Sequence, residues 1–420
     1  MIRFFISFLL LISLLGCHHP QPKLSALAAA PHWSALEVYQ ETITREDFLK
    51  LLQTVYAQDQ DYQKYITVFP RWALIRKNDS DPKDFFKLRF AADRSGVKSV
   101  SHTESATRKV SGGLPLAGLK IALDPGHLGG EWARMEGRWF QMEFQPPILE
   151  GDLTLQVAKR LERRLQELGA EVYLVRQNSD PLTPWRPESL MPLADEYLQK
   201  DSSLVREEFS GRDGETASEK AKRLSELLFY RTAEIRARAQ KINQSFKPDL
   251  TLCLHFDAEN WGDPKNPQSA VRNHFHVLMN GAYTGEELSF DDIRREMLLK
   301  LLSGVGEVEE GVAEKVAEAF LRNTGLPPAF FPAGSVKKVG TNPYVWARNL
   351  LANRIYEGPV IYLEPYVMNH PEVMARIQEG DYEGVRRVGD RWVTSLYEEY
   401  AASVAEGLVE YYRSPPQKTE

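Results

Sequence analysis

The chain has 420 residues, 43% hydrophobic and 26% charged, which suits a globular protein with one large core and room for additions. Its formal net charge is -6, and Lys and Arg are spread along the sequence. The basic footprint of a nucleic-acid binder is missing, so nucleic acid is excluded as a partner.

The opening "MIRFFISFLLLISLLGCHHP" sets a basic Arg3 before a continuous apolar run that ends in small residues at Cys17, the layout of a secretory signal over residues 1–17. "LLGC" resembles a bacterial lipobox, in which Cys17 becomes the lipidated first residue of the mature protein. Such a chain would be held to a membrane by acyl groups and would work in the bacterial cell envelope, facing the periplasm or cell wall. Cys253 would then have no disulfide partner, and in "LTLCLHF" it reads as a small buried hydrophobe.

Residues 18–43, rich in Pro and Ala, read as a tether, with His18 and His19 as solvated linker residues. From Thr44, a capping residue followed by first-turn acids and apolar Phe48, Leu51, Leu52 and Tyr56 predicts a helix. "WALIRK" and "FFKLRFA" flank the turn-rich "NDSDPKD", so residues 44–92 form a small helix-plus-hairpin unit. Residues 93–115, polar and rich in Ser, Thr and Gly, read as a linker.

Residues 116–413 carry a different pattern. "LKIALD", the amphipathic "DLTLQVAKRLERRLQELG" and "AEVYLVR" make a β-α-β unit. A charged helical region at 186–244 leads to the strands "DLTLCLHF" and "NHFHVLMN", the helix "VAEKVAEAFLRNTG" and the strand "GPVIYLEPY". The expected fold is α/β: a mixed, mostly parallel sheet flanked by helices on both faces, with a small N-terminal α+β unit.

Three strand ends carry chemistry-capable side chains: His127, His255 and Glu364. In open α/β sheets the carboxyl ends of strands converge on one edge, so distant segments meet there. Glu150, at the entry to the first helix, joins the same edge. Singly, each has a plain structural reading: a turn residue, a core histidine, a salt-bridge partner, an acid complementing a helix dipole. Together, two histidines and one carboxylate make the protein ligands of an open catalytic zinc site. A further glutamate can carry a proton between the attacking water and a leaving amine.

The segment from about Leu119 to about Gly407 resembles the catalytic domain of the zinc-dependent N-acetylmuramoyl-L-alanine amidases. "IALDPGH" matches the first histidine motif, "LEGDLTLQVAKRL" the glutamate ligand, "DLTLCLHFDA" the second histidine motif and "PVIYLEPYVMN" the catalytic-glutamate strand. Four motifs in order are specific where one would be weak. The resemblance implies one zinc ion held by His127, Glu150 and His255, with Glu364 as general acid/base. The substrate would be peptidoglycan, cut between N-acetylmuramic acid and L-alanine. Arg238 and Asn243, on the helix before the second histidine strand, match residues that support the architecture. A protein activator is a further candidate partner.

Several letters depart from the family. Leu128 intervenes before Gly129 and Gly130, "LHFDAE" puts Phe256 and Asp257 beside the metal site, and "PYVMN" is one residue short. Helical insertions fall near 180–230 and 284–310. In the second, Glu286, Glu287, Asp291, Asp292 and Glu296 read as a solvated acidic face. Glu131 and Glu136 are acids near His127 without a family counterpart. His274 and His276 share one strand face and read as surface or core histidines, not ligands. Two other functions compete: a catalytically silent wall-binding or activator lipoprotein, and a zinc carboxypeptidase acting on stem peptides.

Overall fold

The computed structural model describes residues 22–79, 81–99, 113–199, 214–332 and 334–413. The apolar leader, Cys17, His18 and His19 lie outside the described residues, as does most of the expected linker. Among the described residues no helix is long and apolar enough to cross a membrane.

The stretch read as a tether is folded from Lys23 onward. The Lys23 N–H donates to Asp291 Oδ2 at 2.8 Å and the Ser25 N–H to Asp292 Oδ1 at 2.9 Å. A 3-10 turn at Trp33–Tyr39 buries Leu36 and Tyr39. Composition suggests a linker there because the anchoring carboxylates lie some 270 positions away, at 291 and 292, beyond the reach of any local pattern.

Helix α1 (Arg45–Leu51) starts where Thr44 Oγ1 accepts from the Asp47 N–H. Strands β1 (Ile66–Val68), β2 (Trp72–Asn78) and β3 (Asp81–Arg89) form an antiparallel sheet, one strand more than the expected hairpin. Phe48, Leu52, Ile75, Phe86 and Leu88 belong to the same core as the main sheet, so this unit is packed on the larger body. Hydrogen bonds from Ala282 N–H to Val55 O (2.8 Å) and Asp79 N–H to Asp291 Oδ1 (3.0 Å) join the two.

The large body begins with β4 (Lys120–Pro125) and continues through α2 (Trp132–Glu136), the short β5 (Trp139–Phe140) and β6 (Ile148–Leu149), α3 (Glu150–Glu167) and β7 (Glu171–Leu174). Helix α4 (Pro187–Gln199) is followed by α5 (Ala217–Leu227), which runs through wide turns into α6 (Glu234–Gln240). Then come β8 (Leu250–Leu254), β9 (Phe275–Met279), α7 (Asp291–Leu302), α8 (Val305–Thr324), β10 (Lys337–Lys338), β11 (Val345–Ala347), β12 (Val360–Pro365) and α9 (Leu396–Arg413).

Seven strands form one sheet in the order β10-β11-β9-β12-β8-β4-β7. The β12–β8, β8–β4 and β4–β7 pairs are parallel, as is β11–β9, whereas β12–β9 and β10–β11 are antiparallel. The sheet is mixed and mostly parallel.

Alternation along the strands divides the core in two. Ile121, Leu123, Leu252, Leu254, Ile361 and Leu363 pack on one face with Val157 and Leu161 of α3, Val316 of α8 and Val404 of α9. Ala122, Cys253, Val360 and Tyr362 point the other way, toward Ala239 and Ile242. Helices therefore cover both faces. The fully buried Cys253 is the small hydrophobe expected of it.

Candidate metal centre

Strands β4, β8 and β12 run parallel and end on one edge of the sheet. His127 lies two residues past β4, His255 one past β8, and Glu364 is the penultimate residue of β12. Glu150 opens α3 on the same side, its N–H bonded to Arg138 O at 3.1 Å. The β-α-β layout predicted this meeting, and the structure brings the ligand atoms of His127, Glu150 and His255 within 4.8 Å of one another.

Local chemistry holds each side chain in place. His127 adopts a left-handed backbone at φ +57°, a conformation that few residues with a Cβ occupy. The turn is clamped from both sides: Gly126 N–H bonds Leu254 O at 2.8 Å, and Arg238 Nη2 donates to His127 O at 3.0 Å. Arg238 is itself buried, donating to Glu234 Oε1, Asp124 Oδ1 and Pro125 O at 2.8, 2.9 and 2.9 Å. Tyr356 donates to the other Asp124 oxygen at 2.7 Å. Asn243 bridges Ile355 O and the Glu357 N–H, both at 2.9 Å. Arg238 and Asn243 thus build the scaffold without touching a reacting position.

Glu150 is 1% exposed. Its Oε2 stands 3.3 Å from His127 Nε2 and its Oε1 3.4 Å from His255 Nδ1, while Oε1 also accepts the Phe256 N–H at 3.3 Å. Oε2 is buried with no hydrogen-bond partner. A buried carboxylate oxygen left this way is costly unless something else binds it. Charge-assisted hydrogen bonds run at about 2.7–2.9 Å. Zinc bonds of about 2.0–2.1 Å, arranged tetrahedrally, set ligand atoms roughly 3.3 Å apart. The observed spacings fit the second pattern, so these three residues suit a divalent cation.

Burial drives the His127 imidazole well below its ordinary pKa, against the pull of Glu150, which keeps the ring in its neutral, metal-ligating form. Burial alone would raise Glu150, but the adjoining His127, His255 and Arg138 hold its carboxyl below the usual range. Glu364 goes the other way: burial first, then the negative charges of Asp257 and Glu150, push it well above the usual range. Such a carboxyl exchanges protons closer to neutral pH.

Two neighbours take roles that their letters alone do not show. Glu136, whose side chain is 6% exposed, sets Oε1 3.4 Å from His127 Nδ1 and accepts the Leu128 N–H on Oε2 at 2.8 Å, orienting the first histidine. The Arg138 guanidinium lies 3.8 Å from Glu150 Oε2. Neither sits in a motif: Glu136 closes α2, and Arg138 lies in the short turn that joins α2 to β5.

Other expectations change. Phe256 does not line the centre. Backbone alternation turns it into the core against Tyr366 and Tyr400, and leaves Asp257 on the side of His255. Of the acids of the second insertion Glu286 alone stays exposed: Asp291 and Asp292 are buried against Lys23, Ser25 and Arg294, Glu287 accepts the Thr284 N–H, and Glu296 accepts from Arg354 at 2.6 Å. Leu128 is 1% exposed and packs with Leu190, Ala194, Leu224, Leu228 and Phe229, so it pins the first insertion to the loop that carries His127.

A germination-specific N-acetylmuramoyl-L-alanine amidase of Bacillus subtilis is 41% identical over 71 residues, 17% of this chain and 26% of that relative; the match spans only about a quarter of the relative's length. Among solved structures, the N-acetylmuramyl-L-alanine amidase Ami1 of Mycobacterium abscessus aligns at 17% identity over 70% of this chain and 99% of its own, with a TM-score of 0.37. The CwlD amidase of Clostridioides difficile, solved in complex with the GerS lipoprotein, aligns at 11% identity over 70% and 98%, with a TM-score of 0.36. The N-acetylmuramoyl-L-alanine amidase family model matches residues 121–385, a span that holds His127, Glu150, His255 and Glu364. That span exceeds half of the chain, and the chain therefore belongs to the N-acetylmuramoyl-L-alanine amidase family.

Proposed function

We propose that this protein hydrolyses the amide between N-acetylmuramic acid and L-alanine in peptidoglycan, with one zinc ion held by His127, Glu150 and His255. The observation that carries this reading is the convergence of those three side chains around a buried, unpartnered Glu150 oxygen, within the family-matched span. Zinc, when bound, supplies Lewis-acid polarisation of the amide carbonyl and a lowered pKa for water.

The chain's own residues do the rest. The Glu364 carboxylate takes the proton of the attacking water and returns it to the leaving amine nitrogen of L-alanine. Burial and the neighbouring carboxylates raise its pKa, which favours the acid form that donates to the leaving nitrogen. Glu136 and the Leu128 N–H it holds keep the His127 ring aimed. Arg138, 3.8 Å from Glu150, adds a positive charge beside the metal ligands. We also propose lipidation at Cys17, which would hold the enzyme to a membrane of the bacterial envelope, facing the wall.

Glu364→Gln is expected to retain the metal and lose at least about 10²-fold in turnover. His127→Ala and His255→Ala are expected to lose both. Purified muramyl peptides serve as substrate, and mass spectrometry reads the products. Intact stem peptides with a free L-alanine amine support the proposal; loss of terminal amino acids alone would indicate a carboxypeptidase, and no product from a folded, zinc-loaded protein would indicate a silent scaffold.

A further inference from the structure

We propose that Asp257, His274 and His276 form a second divalent-cation site, separate from the first and on the same edge of the sheet. The topology creates it. Because β9 runs antiparallel to β12, its starting end reaches the edge where the parallel strands finish, and His276 pairs directly with Glu364. His274 and His276 alternate, so both face one side, and Asp257 lies two residues beyond His255 on the extended segment that bridges to Val367.

The three side chains converge on one atom. His274 Nδ1 stands 3.2 Å, and His276 Nδ1 3.4 Å, from Asp257 Oδ2. Asp257 Oδ1 is already engaged by the Ala258 N–H at 2.7 Å. Both Nδ1 atoms are buried and neither has a hydrogen-bond partner. His276 is 5% exposed, its ring fixed edge-on against Phe331 at 5.0 Å between centroids. The ligand atoms of the trio lie within 4.8 Å of one another, as do those of the first centre.

Spacing decides what the trio is built for. A protonated histidine pairing with aspartate would close to about 2.7–2.9 Å. Separations of 3.2 and 3.4 Å match tetrahedral ligands around a zinc-sized ion, roughly 3.3 Å apart, and nearly repeat the 3.3 and 3.4 Å of the first centre. Two imidazoles and a carboxylate select Zn2+, Co2+ or Ni2+ over Mg2+ or Ca2+. Asp257 and His274 also line a cavity of about 600 Å³ with Arg272, Phe330 and Phe331. The ion therefore borders open space, with a coordination position left for water or a substrate oxygen.

The site stands independently of the first centre's role, and its test keeps the two apart. The full chain is stripped with a chelator, dialysed against Zn2+ and desalted, and bound metal is counted by plasma mass spectrometry, with circular dichroism to check folding. Two ions per chain are expected, falling to one in Asp257→Asn and in His276→Gln, one in His127→Ala, and none in His127→Ala/Asp257→Asn. If the first centre held no metal, the wild type would bind one ion, unchanged in His127→Ala and lost in Asp257→Asn. One ion in the wild type, unchanged in Asp257→Asn and His276→Gln, would overturn the second site and leave a metal-free ion pair. Anomalous diffraction at the zinc edge from wild-type crystals decides it without any variant: a peak between Asp257, His274 and His276 is expected, and its absence at full occupancy of the first centre refutes the proposal.

Discussion

A methyl group on Gly126 would stand 2.3 Å from Cε1 of His255, closer than any real Cβ contact. That glycine lets the first histidine loop pass directly under the second histidine ring. Gly126→Ala is therefore expected to displace His255 and to lower zinc affinity by at least about tenfold, a shift of about 1.4 kcal/mol, readable by competition with a chromogenic chelator. Unchanged affinity would mean that the two loops yield independently. At this scale the sequence is legible where a side chain ends an apolar run: His127, His255 and Glu364 each follow such a run, and Glu150 opens a periodic one. Glu136, Arg138 and the partners of Asp257 follow no run, and their roles depend on which segments lie alongside them in space. His274 and His276 show the limit well. Their shared strand face is evident from the letters, but the direction of β9, which carries them to the sheet edge beside Glu364, is not.

Among the elements, the first insertion packs against the His127 loop and the helix after it through Leu128, Trp132 and Met135. Leu128, alone among its neighbours in the glycine-rich turn, enters the cluster of α4, α5 and the wide turn after α5. Leu128→Ala should cost about 2–5 kcal/mol, the range for emptying a buried leucine site, and should loosen α4 and α5 more than the main sheet. Hydrogen exchange measured by mass spectrometry checks this: faster exchange across 187–227 with β4 and β8 unchanged is expected, and uniform loss of protection would show that the insertion is not a separate packing unit. Helices were readable from period and caps, as with Thr44 before α1; the capping box of Thr216 and Glu219 before α5 is a finding of the structure. Where they dock was not readable. The acids of α7 look like a solvated face in sequence because their partners, Lys23, Ser25 and Arg294, include residues from the far end of the chain.

For the molecule as a whole, the fastening of Lys23 and Ser25 to α7 has a consequence in length. Five residues separate Cys17 from Lys23. Six Cα-to-Cα steps reach about 20 Å at full extension. A lipid on Cys17 would thus leave the folded body on a short leash, and the chain would work only on wall strands that come to the bilayer surface. Inserting about 20 Gly/Ser residues after Cys17 adds roughly 25 Å of root-mean-square span. On vesicle-bound protein, that extension is expected to increase the release of stem peptides from whole sacculi and to leave turnover of soluble muramyl peptides unchanged; equal release from sacculi would show that reach does not limit the enzyme. What reads in the letters as a flexible spacer would then be a ruler, setting the depth of wall the catalytic edge can work.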